Sequence, residues 1–117
     1  MTGTRFRRLL DQVTRVRGVR GALLVAGEDG MVVTEAVMEG VRGNALAALT
    51  GSLARRVRRT ADAAGLGFPQ FVHLQATQGA ICIVPAADGT LVVALADPEV
   101  NVGMLRLALL KVAEVVE

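Results

Sequence analysis

The spacing of apolar residues along the chain predicts both helices and strands. Near the amino terminus, apolar residues recur every three or four positions, the period of one helix face, at Phe6, Leu9, Val13 and Val16. Two continuous apolar runs follow, at residues 19–26 and 31–38. The Asp29-Gly30 pair between them is typical of a tight antiparallel turn. This part of the chain therefore predicts a helix and a β-hairpin.

A long helical pattern covers residues 42–64, and its two sides differ. One side repeats larger residues with the helical period, at Leu46, Leu49, Leu53, Val57, Thr60 and Ala64. The first half of the other side is small and uncharged, at Ala47, Ala48, Gly51, Ser52 and Ala54. Because small residues let a second helix approach closely, we interpret both sides as buried. Charge enters with the sequence RRVRR at residues 55–59.

Further strands are predicted at residues 70–76, 79–85 and 90–96. The Gln78-Gly79 and Asp88-Gly89 pairs between them favour tight turns, so consecutive strands should pair antiparallel. With a last helix at residues 102–115, the order of elements is α-β-β-α-β-β-β-α. We interpret the chain as one α+β domain of residues 1–117.

The stretch DPEVNVG joins the fifth strand to the last helix. Pro98 cannot continue a central strand, and Asn101 is a favourable residue for the N-cap of the helix. Gly103 lies in the first turn, where glycine costs up to about 1 kcal/mol relative to alanine. We interpret Gly103 as a residue that packs closely against the sheet, with contact to a partner or ligand as the alternative.

Charge and aromatic content narrow the classes of partner. The net charge is only +2, and the chain contains no Trp or Tyr and 3 Phe. Proteins that bind single-stranded nucleic acid normally stack its bases on aromatic side chains, so nucleic acid is an unfavoured partner. No apolar run reaches the roughly 18 residues of a membrane span, and charges interrupt residues 1–16, unlike a signal peptide. We therefore expect no membrane partner.

The residue types that carry chemistry are too sparse to predict catalysis. His73 is the only histidine and Cys82 the only cysteine, so no metal site is expected. Ser52 lacks the sequence frame of a nucleophile, and the chain has no phosphate-binding loop motif. We predict no catalytic residue and no cofactor. A single thiol in the apolar stretch AICIVP favours a buried structural cysteine and a reducing, cytoplasmic setting.

The arginines of RRVRR have two interpretations. They can form a solvated face that interacts favourably with the carboxy-terminal dipole of the long helix. They can instead form a positive patch for an acidic protein surface or, less favoured, for nucleic acid. The sequence leaves both interpretations open.

Several stretches together resemble the Roadblock/dynein light-chain family. They are GVRGALLVAGEDGMVVTEA, the alanine-rich central helix, and ADGTLVVALADPEVNVGMLRLALLKV, which ends in the Asn101, Gly103 and Arg106 motif. The resemblance extends over about residues 5–116. It implies a five-stranded antiparallel sheet with the long helix on one face and the terminal helices on the other. It also implies homodimers or heterodimers in which the long helices pair and the third strands can join the two sheets.

The resemblance also implies candidate contact residues. On the small side of the long helix and on the third strand, the expected dimer interface consists of Ala47, Ala48, Gly51, Phe71 and His73. The family includes partners of Ras-like GTPases, and Arg55, Arg58 and Arg59 are the candidates for contacting such a partner.

Three functional hypotheses follow. The first is a cytoplasmic, non-catalytic homodimer that binds and regulates a small Ras-like GTPase. The second is a scaffold subunit without effect on nucleotide hydrolysis, and the third is a basic nucleic-acid-binding protein. The sequence does not separate the first two, because neither requires a catalytic signature.

Overall fold

A computed structural model of the chain describes residues 2–27, 29–37 and 40–116. The predicted order of elements is confirmed. They are α1 (Thr2–Thr14), β1 (Val19–Ala26), β2 (Met31–Val37), α2 (Gly43–Ala63), β3 (Val72–Ala76), β4 (Gly79–Pro85), β5 (Thr90–Ala96) and α3 (Val102–Val115). The second strand was expected to reach Met38, which lies outside the described residues.

The strands form one antiparallel sheet of 5 strands in the order β2-β1-β5-β4-β3. β1 and β5 are neighbours although β1 is the first strand and β5 the last. Ala26, at the end of β1, pairs with Thr90, at the start of β5. The β1–β2 turn and the β4–β5 turn therefore lie side by side at the same end of the sheet. This leaves β2 and β3 as the two edge strands.

Each face of the sheet has its own apolar core. On one face, α1 and α3 pack on the sheet around Leu10, Leu24, Cys82 and Leu109, all at 0% exposure. On the other face, α2 covers a smaller core that includes Leu23, Ile83 and Val93. The arrangement implied by the family resemblance, a long helix on one face and the terminal helices on the other, is therefore correct.

The orientation of α2 differs from the prediction. Its buried residues are Ala47, Thr50 and Gly51, whereas Leu49 is 70% exposed. Both sides of the helix were expected to be buried, but within this single chain Leu49 is exposed, and so are Thr60 and Ala64. Leu46, Leu53 and Val57 are half-buried, as expected for residues on the border of the buried face.

The helix turns its small residues inward because the β1–β2 turn comes very close to it. A Cβ built on Gly51 would lie 3.0 Å from the Cα of Gly30. Gly30 itself has a φ of +65°, and a Cβ there would lie 2.9 Å from the Cα of Ala48. Larger side chains do not fit between the helix and this turn, so they are displaced to the sides and to the outer face.

The predictions for the connection between β5 and α3 are confirmed in part. The Asn101 side chain accepts a hydrogen bond of 3.0 Å from the backbone N–H of Met104, as an N-cap does. Gly103 is exposed, and the neighbour that a Cβ there would meet is Oδ1 of Asn101, at 3.4 Å. The interpretation of Gly103 as packed against the sheet was therefore wrong.

Candidate interaction surfaces

The outer face of α2 combines apolar, small and basic residues. Leu49 is the large apolar side chain at its centre, and the exposed Ala45 and Ala48 lie nearby on the same face. Arg56 and Arg59 continue the face toward the carboxyl end of the helix, and both are exposed. Residues spaced by three and four along a helix align in one row, so this face presents an apolar half and a basic half.

The helix leaves part of the sheet uncovered on its own side. α2 packs mainly on β1 and β2, which lie at one edge of the sheet. Leu74 of β3 pairs with Ile81 of β4, and both point to the side of the sheet where α2 lies. Leu74 is 42% exposed and Ile81 is half-buried. An apolar strip beside α2 is therefore partly open to solvent.

The third strand offers an unpaired edge. Within the described residues, β3 pairs with β4 on one side only, and its residues from His73 to Ala76 are exposed. Nε2 of His73 lies 3.1 Å from Oε1 of Gln75. Edge strands present free backbone donors and acceptors, which another strand can pair with. β3 is therefore suited to sheet extension by a second chain.

A cleft of about 850 Å³ lies where α2 passes the two neighbouring turns. Its walls include Arg55 and Arg58 from the helix, with Asp29 and Asp88 from the turns. Nη1 of Arg55 donates a 3.3 Å hydrogen bond to the carbonyl oxygen of Gly27. The cleft carries charges of both signs, so it is less positive than the RRVRR sequence implied.

Phe68 also lines this cleft. It is 53% exposed, and the guanidinium carbon of Arg58 lies 5.2 Å from the centre of its ring. At an exposed site such a cation–π contact is worth roughly 0.5–1 kcal/mol. Arg58 is thus held over the ring and faces the cleft.

Some residues of the predicted dimer interface are exposed in the structure, and others are buried. Ala48 and His73 are exposed, but Ala47 is at 0% exposure and Gly51 is buried. Both buried residues belong to the contacts of α2 with its own sheet and turn, so placing them on the outer side of the helix was wrong. Phe71 is half-buried beside α3, with the guanidinium carbon of Arg106 5.3 Å from its ring centre.

The predicted partner-binding arginines also divide into two groups. Arg55 and Arg58 line the cleft, whereas Arg59 lies on the outer face of α2. Phe68 and Leu74 were not predicted as surface residues for a partner, and the two turns were predicted but not their meeting at the cleft. The turns carry a sequence signal, but their proximity depends on the order of strands in the sheet.

Groups that bind metals or react chemically are sparse in the described part of the chain. No three or more His, Cys, Asp or Glu side chains there are grouped so that they could hold a metal ion. Cys82 is at 0% exposure, and burial raises the pKa of its thiol above the ordinary value of 9.0. Among the described helices, none combines the length and the apolarity needed to cross a membrane.

Comparison with known proteins agrees with this architecture. Residues 5–96 match the model of a family described as the Roadblock/LC7 domain. An uncharacterized protein of Methanocaldococcus jannaschii is 29% identical over 107 residues, which cover 92% of each chain.

Solved structures extend the comparison to proteins of lower identity. MglB of Myxococcus xanthus superposes with a TM-score of 0.86 at 17% identity, covering 95% of this chain and 90% of that one. The gliding protein MglB of Thermus thermophilus has a TM-score of 0.83 at 22% identity, covering 96% and 85%. At these identities the likeness establishes the fold.

Proposed function

Because the chain belongs to the Roadblock/LC7 domain family, we propose that it is a non-catalytic, dimeric interaction module that binds and regulates a small Ras-like GTPase. The observation that carries the proposal is the outer face of α2, where Leu49 is 70% exposed beside an arginine cluster. Together with the exposed Ala45 and Ala48, Leu49 forms a contiguous apolar patch, and such patches favour an interface with another protein.

The dimer is supported by two surfaces that one chain leaves open. Pairing of the β3 edges of two copies in antiparallel fashion would continue the sheet across a two-fold axis perpendicular to it. Such an axis brings both α2 helices to the same side of the joined sheet. Leu49 and the apolar strip at Leu74 and Ile81 of both copies would then lie on one side of the joined sheet, available for contacts between the copies.

The arginines supply the second part of the proposal. Arg59 on the outer face and the Arg55–Arg58 pair in the cleft put three cations on the α2 side of the molecule. An acidic protein surface complements such a cluster, and long-range attraction speeds the encounter of the two proteins. A regulator of this kind alters hydrolysis by positioning the GTPase's own catalytic groups. We place this function in a reducing, cytoplasmic compartment, which suits the single buried thiol.

A pull-down of cellular GTPases tests the proposal. The full chain is immobilised and exposed to lysate loaded with either GDP or a non-hydrolysable GTP analogue, and retained GTPases are then purified for hydrolysis assays. We expect one GTPase to be retained in a nucleotide-dependent manner and its hydrolysis rate to change.

Two variants sharpen this test. Charge reversal at the cleft, in Arg55→Glu/Arg58→Glu, should weaken retention, while the matched reversal Arg7→Glu/Arg8→Glu on α1 should not. A GTPase retained with unchanged hydrolysis would favour the scaffold function. Failure to retain any GTPase in either state would contradict the proposal.

A further inference from the structure

The side of the sheet away from α2 carries an unexpected concentration of positive charge. Residues 2–17 contain arginines at positions 5, 7, 8, 15 and 17 and a single acid, Asp11. Residues 102–116 add Arg106 and Lys111 against Glu114. These two segments thus have a formal charge of +5 in a chain whose total is +2, so the rest of the chain is net negative. The positive charge is concentrated on the α1/α3 side.

The arginines of this side point to solvent. Arg8 lies on α1 and Arg15 directly follows its end, both opposite the face that buries Leu10 and Val13. All the arginines of this segment are exposed, at Arg5, Arg7, Arg8, Arg15 and Arg17. Within the described part of the chain, the ion pair formed joins Arg20 to Asp97, so none of these arginines is neutralised by a carboxylate.

Helix α3 carries exposed apolar side chains on the same side of the sheet as these arginines. Met104 is 58% exposed and Leu107 is 62% exposed. Leu107 lies opposite Leu105 and Leu109, which α3 buries against the sheet, so it points away from the core. α1 and α3 pack against each other on the same face of the sheet. We call the exposed arginines of residues 5–17 together with Met104 and Leu107 the basic face.

We propose that the basic face docks on the surface of a membrane rich in anionic lipids. A bilayer surface can bind both kinds of side chain. Its negatively charged headgroups attract the arginines, and the apolar layer beneath the headgroups receives Met104 and Leu107. Clusters of four to eight basic residues at a protein surface are typical of proteins that bind anionic lipid headgroups. A nucleic acid would satisfy the arginines but leave the protruding apolar side chains without a complement.

This docking is compatible with the proposed function but does not depend on it. The basic face and the outer face of α2 lie on opposite sides of the sheet, so both can be occupied together. The expectation of no membrane partner rested on the lack of a membrane-spanning segment, and docking on the surface requires none. An anionic membrane would therefore recruit the protein while leaving α2 available.

Sedimentation with lipid vesicles tests the proposal. The full chain is mixed with vesicles of phosphatidylcholine alone or with 30% phosphatidylserine, at about 0.1 M and at about 0.5 M salt. We expect binding only to the vesicles with phosphatidylserine, and weaker binding at the higher salt because screening shortens the range of the attraction. Equal binding to both kinds of vesicle, or to neither, would overturn the proposal.

Variants locate the binding surface. Arg8→Glu/Arg15→Glu should lower the partition coefficient at least about tenfold, and Met104→Gln/Leu107→Gln should lower it measurably. The matched reversal Arg42→Glu/Arg56→Glu, on the side of α2, should leave it close to that of the wild type. Thermal unfolding of each variant checks that it is folded.

A DNA-binding experiment distinguishes lipid from nucleic acid as the partner of the basic face. A mixed-sequence DNA duplex is titrated against the wild type and the Met104→Gln/Leu107→Gln variant. If the duplex binds more tightly than the vesicles and the variant binds it equally well, nucleic acid is the partner of the basic face and the lipid proposal is wrong. An equal loss of vesicle binding in the Arg42→Glu/Arg56→Glu control would also overturn it, since total charge alone would then account for the binding.

Discussion

The Cα of Gly30 lies 3.0 Å from the position that a Cβ on Gly51 would occupy. This contact joins the β1–β2 turn to the middle of α2 and leaves no room for a side chain on either residue. We predict that Gly51→Leu lowers the free energy of unfolding by roughly 1–3 kcal/mol through overpacking. Chemical denaturation measures it, with Ala63→Leu, an exposed position on the same helix, as the control. Equal stabilities of the two variants would contradict the contact.

The proposed dimer gives a prediction for Leu49. Replacing this exposed side chain by glutamine removes an apolar group from the centre of the interface, so the dissociation constant of the dimer should rise at least about tenfold. Light scattering and analytical ultracentrifugation over a range of concentrations measure the change. Leu107→Gln, the same substitution on the opposite side of the molecule, should leave the dimer unchanged. A wild type that is monomeric at micromolar concentration would refute the interface.

The arginine cluster predicts salt-dependent association with the GTPase. If Arg55, Arg58 and Arg59 attract an acidic surface, the association rate constant should fall as salt rises, while the dissociation rate should change less. Stopped-flow or surface plasmon resonance measurements at several salt concentrations separate the two rates. Arg59→Glu should lower the association rate and remove part of its salt dependence. An association rate independent of salt would rule out steering by these residues.

The burial of Cys82 predicts how stability depends on pH. Burial raises the pKa of its thiol, so the folded protein keeps this proton to higher pH than the unfolded chain does. The contribution of this group is therefore complete below the ordinary thiol pKa of 9.0 and falls as the pH rises above it. Relative to Cys82→Ala, the wild type should lose stability as the pH rises above the ordinary thiol pKa of 9.0. A constant difference between the two proteins would show that the thiol titrates equally in both states.

The cap of α3 predicts a moderate and specific loss of stability. Asn101→Ala removes the acceptor for the backbone N–H of Met104 and should cost about 0.5–2 kcal/mol. Asn101→Asp keeps a side-chain acceptor and should retain most of the stability. Denaturation midpoints of the two variants measure the effect. If both variants lose stability equally, the cap does not account for the preference for Asn101.

Much of the fold was predictable because its elements depend on residues that are close together in the sequence. The hairpin turn at Asp29-Gly30 and the cap at Asn101 depend on residues close in sequence, and both were found as predicted. The apolar runs gave the strands and their order along the chain for the same reason. The sheet and its helical layers were predicted by the family resemblance, since the order of strands in a sheet depends on contacts between distant segments.

The candidate surfaces were harder to predict because they combine distant segments. The cleft joins Arg55 and Arg58 to two turns that are far apart in sequence and become neighbours through the pairing of β1 with β5. The basic face likewise joins α1 to Met104 and Leu107 of α3. The arginines of both surfaces can be found in the sequence, but no local motif shows which distant residues lie next to them in the fold.

By itself, the sequence determined the order of the elements, their approximate bounds, the turns and the cap, because each depends on local periodicity and backbone preference. Only the tertiary structure decided which side of α2 faces the sheet. The period of this helix is clear, but side-chain size was a misleading guide to its inward side. The gap beside Gly30 admits only small residues, so Ala47 and Gly51 are buried there while Leu49 is exposed and available to a partner.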